Sequence, residues 1–177
     1  MVYLWRYLME IATLGAGCFW CIEAILLNVT GVTSVDVGYT GGKILNPTYK
    51  MVCEGNTGHA EVAQIEFDST KISYEKLLNV FFEIHDPTTI NRQGNDIGTQ
   101  YRSVIFYHTD EQLNIAKKVI SYQQDNFSNK IVTELTQLDK FYKAEEYHQN
   151  YYNNNKNAAY CNFVIKPKIE KYLNEKK

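Results

Sequence analysis

Alternating segments of strand-like and helix-like hydrophobic periodicity constrain the fold of this chain more than any other feature of its sequence. Short apolar or two-residue-periodic segments predict strands over 11–15, 32–39, 61–67 and 103–107. Helical segments follow the first and third of these strands, over 19–28 and from the capping residue Ser73 to about 84. The order β-α-β-β-α-β is that of the split βαβ arrangement. We therefore predict an α+β protein with a ferredoxin-like two-layer sandwich core, in which helices cover one face of an antiparallel-containing sheet.

The segments beyond residue 107 extend this core and do not suggest a second domain. They predict a helix from Thr109 to about 126, a strand over 131–138, a helix over 144–152 and a C-terminal helix that opens at Pro167. No internal repeat or linker divides the chain, and 177 residues suit one domain. We expect an N-terminal extension over 1–8 and a single domain over 9–177, which ends in a C-terminal tail from about residue 153.

Composition and charge exclude several classes of protein. Hydrophobic residues make up 45% and charged residues 21% of the chain, values that are typical of a globular protein and not of a disordered one. The net charge is −2 and the basic residues are dispersed, so no surface for nucleic acid is predicted. The sequence lacks an apolar run of about 18 residues, which a membrane span would need. We expect a monomer in the cytoplasm.

Two long polar segments separate the predicted elements. The first, 39–60, is rich in Gly, Asn, Thr and Pro, and the second is 86–101. Irregular segments of more than about 12 residues are unusual inside a compact domain and more often carry function than not. Tyr49 in the first segment and the hydrogen-bonding side chains of the second can serve a site or simply form turns.

The four cysteines indicate thiol chemistry or metal binding, because four in 177 residues are too few for a disulfide scaffold. Cys18 and Cys21 form a CxxC at the predicted junction between the first strand and the first helix. The positive end of a helix dipole lowers the pKa of a cysteine placed there. Cys18 is the better candidate nucleophile, since it lies nearer the helix end. Phe19 and Trp20 would form an aromatic wall beside it.

A second candidate group is Thr57-Gly58-His59-Ala60-Glu61, at the end of the first polar segment. Glu61 enters an apolar strand, where desolvation would raise the pKa of its carboxyl group and let it act as an acid at neutral pH. An exposed glutamate at a strand edge is the alternative. For His59 we favour a structural hydrogen-bonding role over a role as base or ligand.

Three other functions would use the same residues. A structural zinc ion could be held by Cys18, Cys21, Cys53 and His59. Aromatic residues in the CxxC gap are, however, not typical of zinc knuckles. The His59-x-Glu61 pair with a CxxC has the elements of a zinc deaminase, but in the reverse order. A thioredoxin-like CxxC would make the protein a general thiol-disulfide oxidoreductase, which leaves both polar segments unexplained.

Several short motifs, taken together, are similar to those of one enzyme family. They are Gly17-Cys18-Phe19-Trp20, Gly38-Tyr39-Thr40-Gly41-Gly42, Asn46-Pro47-Thr48-Tyr49, Thr57-Gly58-His59-Ala60-Glu61, His85-Asp86-Pro87-Thr88, Gln93-Gly94-Asn95-Asp96 and Gly98-Thr99-Gln100-Tyr101-Arg102-Ser103. In this order and spacing they resemble the peptide methionine sulfoxide reductase A (MsrA) family, from about Glu10 to the C-terminus. The resemblance implies an α+β oxidoreductase that reduces methionine S-sulfoxide, free or in proteins, and so repairs oxidative damage. It implies no bound metal or other cofactor.

The resemblance also implies roles for individual residues. It makes Cys18 the nucleophile, and Phe19 and Trp20 the pocket for the methyl group of the substrate. Glu61, Tyr49 and Tyr101 would bind and protonate the sulfoxide oxygen. Asp96 would support the site from the second polar segment. An external dithiol, thioredoxin, would supply the electrons.

The thiol that resolves the sulfenic acid on Cys18 is left open between two residues. Cys161 occupies the tail position where family members often carry a resolving cysteine, and the polar segment 153–157 would let the tail approach Cys18. Many members have glycine in place of Cys21, which here can form a disulfide with Cys18 first and pass it to Cys161. We favour Cys161 with Cys21 involved. Cys53 lies in an apolar context and is predicted to be structural.

Overall fold

A mixed sheet is the centre of the fold in the computed structural model, which describes residues 9–175. Its strands are β1 (Met9–Ala16), β2 (Val32–Thr40), β3 (Ala60–Asp68), β6 (Ser103–Tyr107), β7 (Glu134–Gln137) and β8 (Tyr142–Lys143). A separate hairpin pairs β4 (Arg92–Gln93) with β5 (Asp96–Ile97). The order of the main sheet is β7-β6-β1-β3-β2-β8. The predicted extension over 1–8 lies outside the described residues.

The four strands predicted from the sequence form the antiparallel centre of this sheet. β1 pairs with both β3 and β6, and β3 also pairs with β2, which gives the order β6-β1-β3-β2. The register places Leu14 opposite Ala63 and Ile105, and Tyr39 opposite Glu61. β7 joins β6 in parallel, and β8 joins β2 in antiparallel orientation. The predicted split βαβ core is therefore confirmed, with a further strand at each edge.

Helices alternate with these strands. They are α1 (Phe19–Leu26), α2 (Tyr49–Cys53), α3 (Tyr74–Glu83), α4 (Asp110–Gln123), α5 (Tyr151–Asn154) and α6 (Lys166–Glu175). Shorter 3-10 turns span Thr99–Tyr101, Gln124–Asn126 and Glu146–His148, and a π-helical turn, Cys161–Ile165, leads into α6. The predicted caps are present, because Ser73 accepts the N–H of Lys76 and Thr109 accepts that of Gln112, each at 3.2 Å. None of the helices that the structure describes is long and apolar enough to cross a membrane.

The main core lies between one face of the sheet and the helices. Alternate strand residues supply this face, and Leu14, Ile65 and Ile105 are fully buried there against the apolar sides of α1, α3 and α4. The opposite face carries a smaller cluster around Val62 and Phe106. The segment between β7 and β8 covers that cluster with side chains rather than with a helix. Because alternate residues of each strand face opposite sides, one apolar face of the sheet packs against the helices, which gives the predicted two-layer arrangement.

Two predictions for the polar segments are wrong in part. The first segment is not wholly irregular, because it contains α2, whose N-cap Thr48 accepts the N–H of Met51 at 3.4 Å. The second segment contains the β4–β5 hairpin and the 3-10 turn Thr99–Tyr101. These elements are too short to produce a hydrophobic period, so the sequence pattern cannot reveal them.

The C-terminal predictions also need correction. The helix predicted over 144–152 is broken, because Asn150 adopts a left-handed conformation with φ +51° and separates the 3-10 turn Glu146–His148 from α5. The predicted loop over 153–157 begins inside α5. The last helix does not open at Pro167, since the π-helical turn Cys161–Ile165 already precedes it. The described part of the tail is thus packed on the domain through Cys161, Ile165 and Ile169.

Candidate active site

The turn between β1 and α1 places Cys18 at the N-terminus of a helix. Cys18 is the N-cap residue of α1, and its carbonyl oxygen accepts the N–H groups of Cys21 at 3.1 Å and Ile22 at 3.4 Å. The preceding Gly17 has φ +87°, a left-handed conformation that favours glycine. A Cβ atom on Gly17 would lie 2.6 Å from the Cβ atom of Gln93. Glycine therefore lets the second polar segment pack directly against the helix end that carries Cys18.

Glu61 reaches the same helix end from β3. The residue is 1% exposed, and its Oε2 accepts the N–H of Phe19 at 3.1 Å. That amide belongs to the first turn of α1, where backbone N–H groups have no partner within the helix. Burial raises the pKa of Glu61 to about 8, the Phe19 N–H opposes this rise, and the negative charge of Asp96 adds to it. Glu61 is therefore mostly protonated at pH 7, as the sequence predicts for an acid.

Tyr49 and Tyr101 bring hydroxyl groups to Glu61 from the two polar segments. Tyr49 is the first residue of α2, and Tyr101 is the last residue of the 3-10 turn Thr99–Tyr101. Both side chains are half-buried, and burial is the main cause that raises the pKa of each hydroxyl. The charge of Glu61 raises both values further, so the three groups are close enough to interact electrostatically. Both tyrosines stay protonated and can donate hydrogen bonds to an oxygen bound between them.

An aromatic wall stands beside Cys18. Phe19 is buried, and its ring stacks near that of Tyr49 with a centroid distance of 6.3 Å. The Trp20 ring lies parallel to that of Tyr151 at 3.8 Å, and its Nε1–H donates to Nδ1 of His148 at 3.1 Å. His148 and Tyr151 thus fix the orientation of Trp20. The sequence pattern does not single them out, since their segment has helix-like spacing and a lone histidine.

Glu145 connects this wall to Tyr49. Its Oε1 accepts the N–H of Tyr49 at 2.8 Å, and its Oε2 accepts the hydroxyl of Tyr39 at 2.8 Å. The same Oε2 lies 3.9 Å from Nε2 of His148. One carboxylate therefore orients the start of α2 and approaches the histidine that holds Trp20.

Cys18 and Cys21 are both buried at the start of α1 and affect each other's ionisation. The interaction with Cys21, together with burial, raises the pKa of Cys18 well above its ordinary range. The interaction with Cys18 lowers the pKa of Cys21 to about 7, burial opposes that decrease, and the positive charge of Lys168 assists it. Which of the two sulfur atoms carries the negative charge depends on this pair as a whole, and the nucleophilic role of Cys18 stays a prediction. The cation that stabilises a thiolate lies beside Cys21.

The other two cysteines occupy different environments. Cys161 is fully buried in the π-helical turn that packs against α1, and burial and the charge of Cys21 raise its pKa. Cys53 is exposed and lies one helical turn after Tyr49 on α2, close enough for its thiol to affect the pKa of the Tyr49 hydroxyl. Cys53 therefore does not lie in the apolar environment that its sequence neighbours suggest, and its structural role stays a prediction.

Asp96 enters the site on the β4–β5 hairpin. Its side chain is half-buried, and burial raises its pKa while Lys168 opposes the rise. Its charge raises the pKa values of Glu61 and Tyr101. The second polar segment therefore contributes a carboxyl group next to the groups that would hold the substrate oxygen.

His59 holds the first polar segment in place. Its Nδ1 accepts the N–H of Gly42 at 3.1 Å, and its Nε2–H donates to the carbonyl oxygen of Ile44 at 2.8 Å. Both ring nitrogens are thus engaged in hydrogen bonds, which supports the structural role and removes a ligand from the zinc alternatives. Within 9–175, the structure places no three His, Cys, Asp or Glu side chains where they could hold a metal ion.

Glu23 of α1 anchors the segment that carries Tyr151. The residue is 1% exposed, and its carboxyl group accepts the N–H groups of Asn150 at 2.6 Å and Tyr151 at 3.1 Å. Burial raises the pKa of Glu23 to about 7, although both N–H groups oppose the rise. Glu23 therefore joins α1 to the aromatic wall through a carboxyl group that titrates near neutrality.

We expect the contribution of Glu23 to the free energy of unfolding to fall as the pH rises from 5 to 8. The pKa of Glu23 is about 7 in the folded protein, well above the value near 4.3 of an unfolded chain, so the folded state retains a proton that the unfolded state has lost. The Glu23→Gln variant should show a weaker decline. Urea denaturation midpoints at several pH values test this, with Glu66→Gln, at an exposed position on β3, as the control. An equal decline in Glu23→Gln and wild type would contradict the raised pKa.

Comparison with known proteins identifies relatives over nearly the whole chain. A family model described as Peptide methionine sulfoxide reductase matches residues 10–177. Peptide methionine sulfoxide reductase MsrA of Sulfolobus acidocaldarius is 56% identical over 165 residues, which cover 93% of this chain and 94% of that protein. The structure of Mxr1 from Saccharomyces cerevisiae in reduced form matches with a TM-score of 0.83 and 38% identity, over 88% of this chain and 90% of that chain. Mxr1 in complex with Trx2 matches with a TM-score of 0.61 and 29% identity, over 82% and 86%.

Proposed function

Because this chain belongs to the peptide methionine sulfoxide reductase family, we propose that it reduces methionine S-sulfoxide, free or in proteins, with Cys18 as the nucleophile. The activity is thiol-dependent and repairs oxidised methionine. The observation that supports this assignment is the position of Glu61. Its buried, protonated carboxyl group accepts the N–H of Phe19 at the helix end that carries Cys18. Residues 9–177 form a single catalytic domain in this proposal, with 1–8 as an extension.

The substrate oxygen determines how the reaction begins. A sulfoxide sulfur becomes electrophilic only when its oxygen is protonated or strongly hydrogen-bonded. Glu61 supplies the proton, while the hydroxyl groups of Tyr49 and Tyr101 donate to the oxygen as charge develops there. Asp96 supports this group from the second polar segment. Phe19 and Trp20 hold the methyl group of the substrate through apolar contact.

Cys18 is oxidised in this reaction, and the other cysteines then reduce it through disulfide exchange. Cys18 attacks the sulfoxide sulfur, methionine leaves, and Cys18 becomes a sulfenic acid. Cys21 lies directly beside Cys18, so we propose that it forms the first disulfide with Cys18 and that the buried Cys161 can take part in a second exchange. Thioredoxin is the proposed reductant, which the complex of the yeast relative Mxr1 with Trx2 supports. The proposed enzyme is a monomer without a bound cofactor and works in the cytoplasm, where thiols are kept reduced.

The test uses a racemic mixture of the two methionine sulfoxide epimers in a blocked, peptide-like substrate, with dithiothreitol as reductant. We expect the protein to consume the S epimer and leave the R epimer, as resolved by chromatography. Consumption of neither epimer would overturn the proposed function. Insulin reduction, measured in parallel, is the readout for a general thiol-disulfide oxidoreductase, and we expect it to remain at background.

A further inference from the structure

The sulfur atom of Cys21 is surrounded by groups from distant parts of the chain. Cys21 is 4% exposed on α1, and its thiol interacts electrostatically with that of Cys18, which lowers the pKa of Cys21. The hydroxyl of Tyr160 lies 3.9 Å from its Sγ. The Nζ of Lys168 lies 3.5 Å from the same sulfur atom, although 147 positions separate the two residues in the sequence. Packing of α6 on α1 therefore delivers a cation to a buried thiol.

The other lysines of α6 make a different kind of contact. Lys166 and Lys171 lie 3.9 Å from Glu170 and Glu175 on the surface of the same helix. Lys168 is half-buried and directs its ammonium group to sulfur. A neutral thiol is a weak partner for an ammonium group, whereas a thiolate is a charged acceptor that forms a strong hydrogen bond. The contact between Nζ of Lys168 and Sγ of Cys21 is therefore the one expected for a Cys21 thiolate.

We propose that Lys168 is a positioning residue that keeps a single proton shared between Cys18 and Cys21. In this inference, which rests on the proposed function, Cys21 takes the proton of Cys18 as Cys18 attacks the sulfoxide, and Cys21 then attacks the sulfenic acid. The residue that resolves the intermediate is thus selected by a lysine from the C-terminal helix. The hydroxyl of Tyr160, 3.9 Å from the sulfur atom of Cys21, also opposes the rise in the pKa of Cys18.

The protons and electrons of this sequence balance. In the first step Glu61 protonates the sulfoxide oxygen and Cys21 accepts the proton of Cys18, which leaves methionine, a Cys18 sulfenic acid, a Cys21 thiol and a Glu61 carboxylate. In the second step the Cys21 sulfur bonds to the Cys18 sulfur, the S–O bond breaks, and the hydroxide leaves as water with the proton of Cys21. The two cysteines lose two electrons, and the sulfoxide gains them. Solvent returns a proton to Glu61.

The ionisation of the Cys21 thiol depends on several groups that face its sulfur atom. Cys18 shares its proton, and the positive charge of Lys168 favours the thiolate. The hydroxyl of Tyr160 also favours it by hydrogen bonding. The charge of Cys21 in turn raises the pKa values of Glu61 and Cys161. Of these groups, Lys168 is the one whose loss removes the positive charge.

The experiment follows a single turnover without reductant and measures two products separately. Methionine is quantified by chromatography, and the Cys18–Cys21 disulfide is followed by mass spectrometry, with dimedone to trap any remaining sulfenic acid. The variants are Lys168→Met, which removes the charge, and Lys168→Arg, which restores one. Lys171→Met is the matched control, because this lysine lies on the same helix with 73% of its side chain exposed.

We expect wild type, Lys171→Met and Lys168→Arg to form one equivalent of methionine and to close the disulfide at similar rates. Lys168→Met should close it several-fold more slowly at pH 7, since loss of the positive charge raises the pKa of Cys21 and leaves less thiolate at that pH. Its closure rate should recover toward pH 9. The dimedone adduct on Cys18 should accumulate in this variant at neutral pH.

Two results would overturn the inference. One is disulfide closure in Lys168→Met with the rate and pH profile of wild type, and the other is a wild-type disulfide that joins Cys18 to Cys161 while Cys21 stays free. Absence of methionine in every variant would instead contradict the proposed function. If Lys168→Met fails to fold, Lys168→Gln replaces it, and the midpoint of Cys21 alkylation should lie at a higher pH in this variant than in wild type, because the positive charge of Lys168 lowers the pKa of Cys21. Equal midpoints would contradict the role of Lys168.

Discussion

Replacement of Cys18 with serine is expected to abolish enzymatic reduction, so that methionine forms no faster than in a mixture without enzyme. The serine hydroxyl keeps the size of the thiol but stays protonated at neutral pH and is a poor nucleophile toward sulfur. Excess dithiothreitol should not rescue the variant, because the missing step precedes the one that a reductant serves. Epimer consumption by chromatography measures the loss, and circular dichroism establishes that the variant is folded.

The Cys21→Ser variant provides the matched comparison for this prediction. It removes the neighbouring sulfur on α1 but leaves Cys18 at the helix end, so it should still form methionine in a single turnover. Dithiothreitol can then reduce the sulfenic acid directly and restore multiple turnovers, at a lower rate. If Cys21→Ser is inactive while Cys18→Ser turns over, the roles assigned to the two cysteines must be exchanged.

The parts of the site that the sequence predicts are encoded locally. Cys18, Phe19 and Trp20 follow a strand and a glycine, which is sufficient to place them on the first turn of a helix. Glu61 belongs to a strand with clear alternation, so its burial can be predicted from its apolar neighbours. Tyr49 and Tyr101 are recognised through their motifs, since their polar segments have no periodicity. Local pattern and motif together therefore identify the residues that face the substrate.

The parts that the sequence does not predict depend on contacts between distant residues. Lys168 lies 147 positions from Cys21, and His148 lies 128 positions from Trp20. No pattern along the chain encodes such a pairing, because it arises only when the C-terminal segment packs on α1. The same packing places the ammonium group of Lys168 3.5 Å from Sγ of Cys21. A rule based on the helix dipole alone considers Cys18 and cannot include this cation.

Replacement of Glu61 with glutamine is expected to lower the rate of sulfoxide reduction by about 10²- to 10⁴-fold, the usual contribution of a general acid. The amide keeps the shape of the carboxyl group, and its oxygen can still accept the N–H of Phe19. It has no acidic proton to give to the sulfoxide oxygen, however, so the leaving oxygen is stabilised only by the two tyrosines. Initial rates with saturating dithiothreitol measure the effect.

The pH profile separates loss of the acid from general damage to the site. The pKa of Glu61 is about 8, so the wild-type rate should fall as the pH rises through that value and the acid loses its proton. Glu61→Gln should lack this decline and should retain the alkylation rate of Cys18 by iodoacetamide. Glu66→Gln, at an exposed position on the same strand, should behave as wild type. A near-normal reduction rate in Glu61→Gln would show that the proton reaches the oxygen from another group, with the hydroxyl groups of Tyr49 and Tyr101 as the nearest donors.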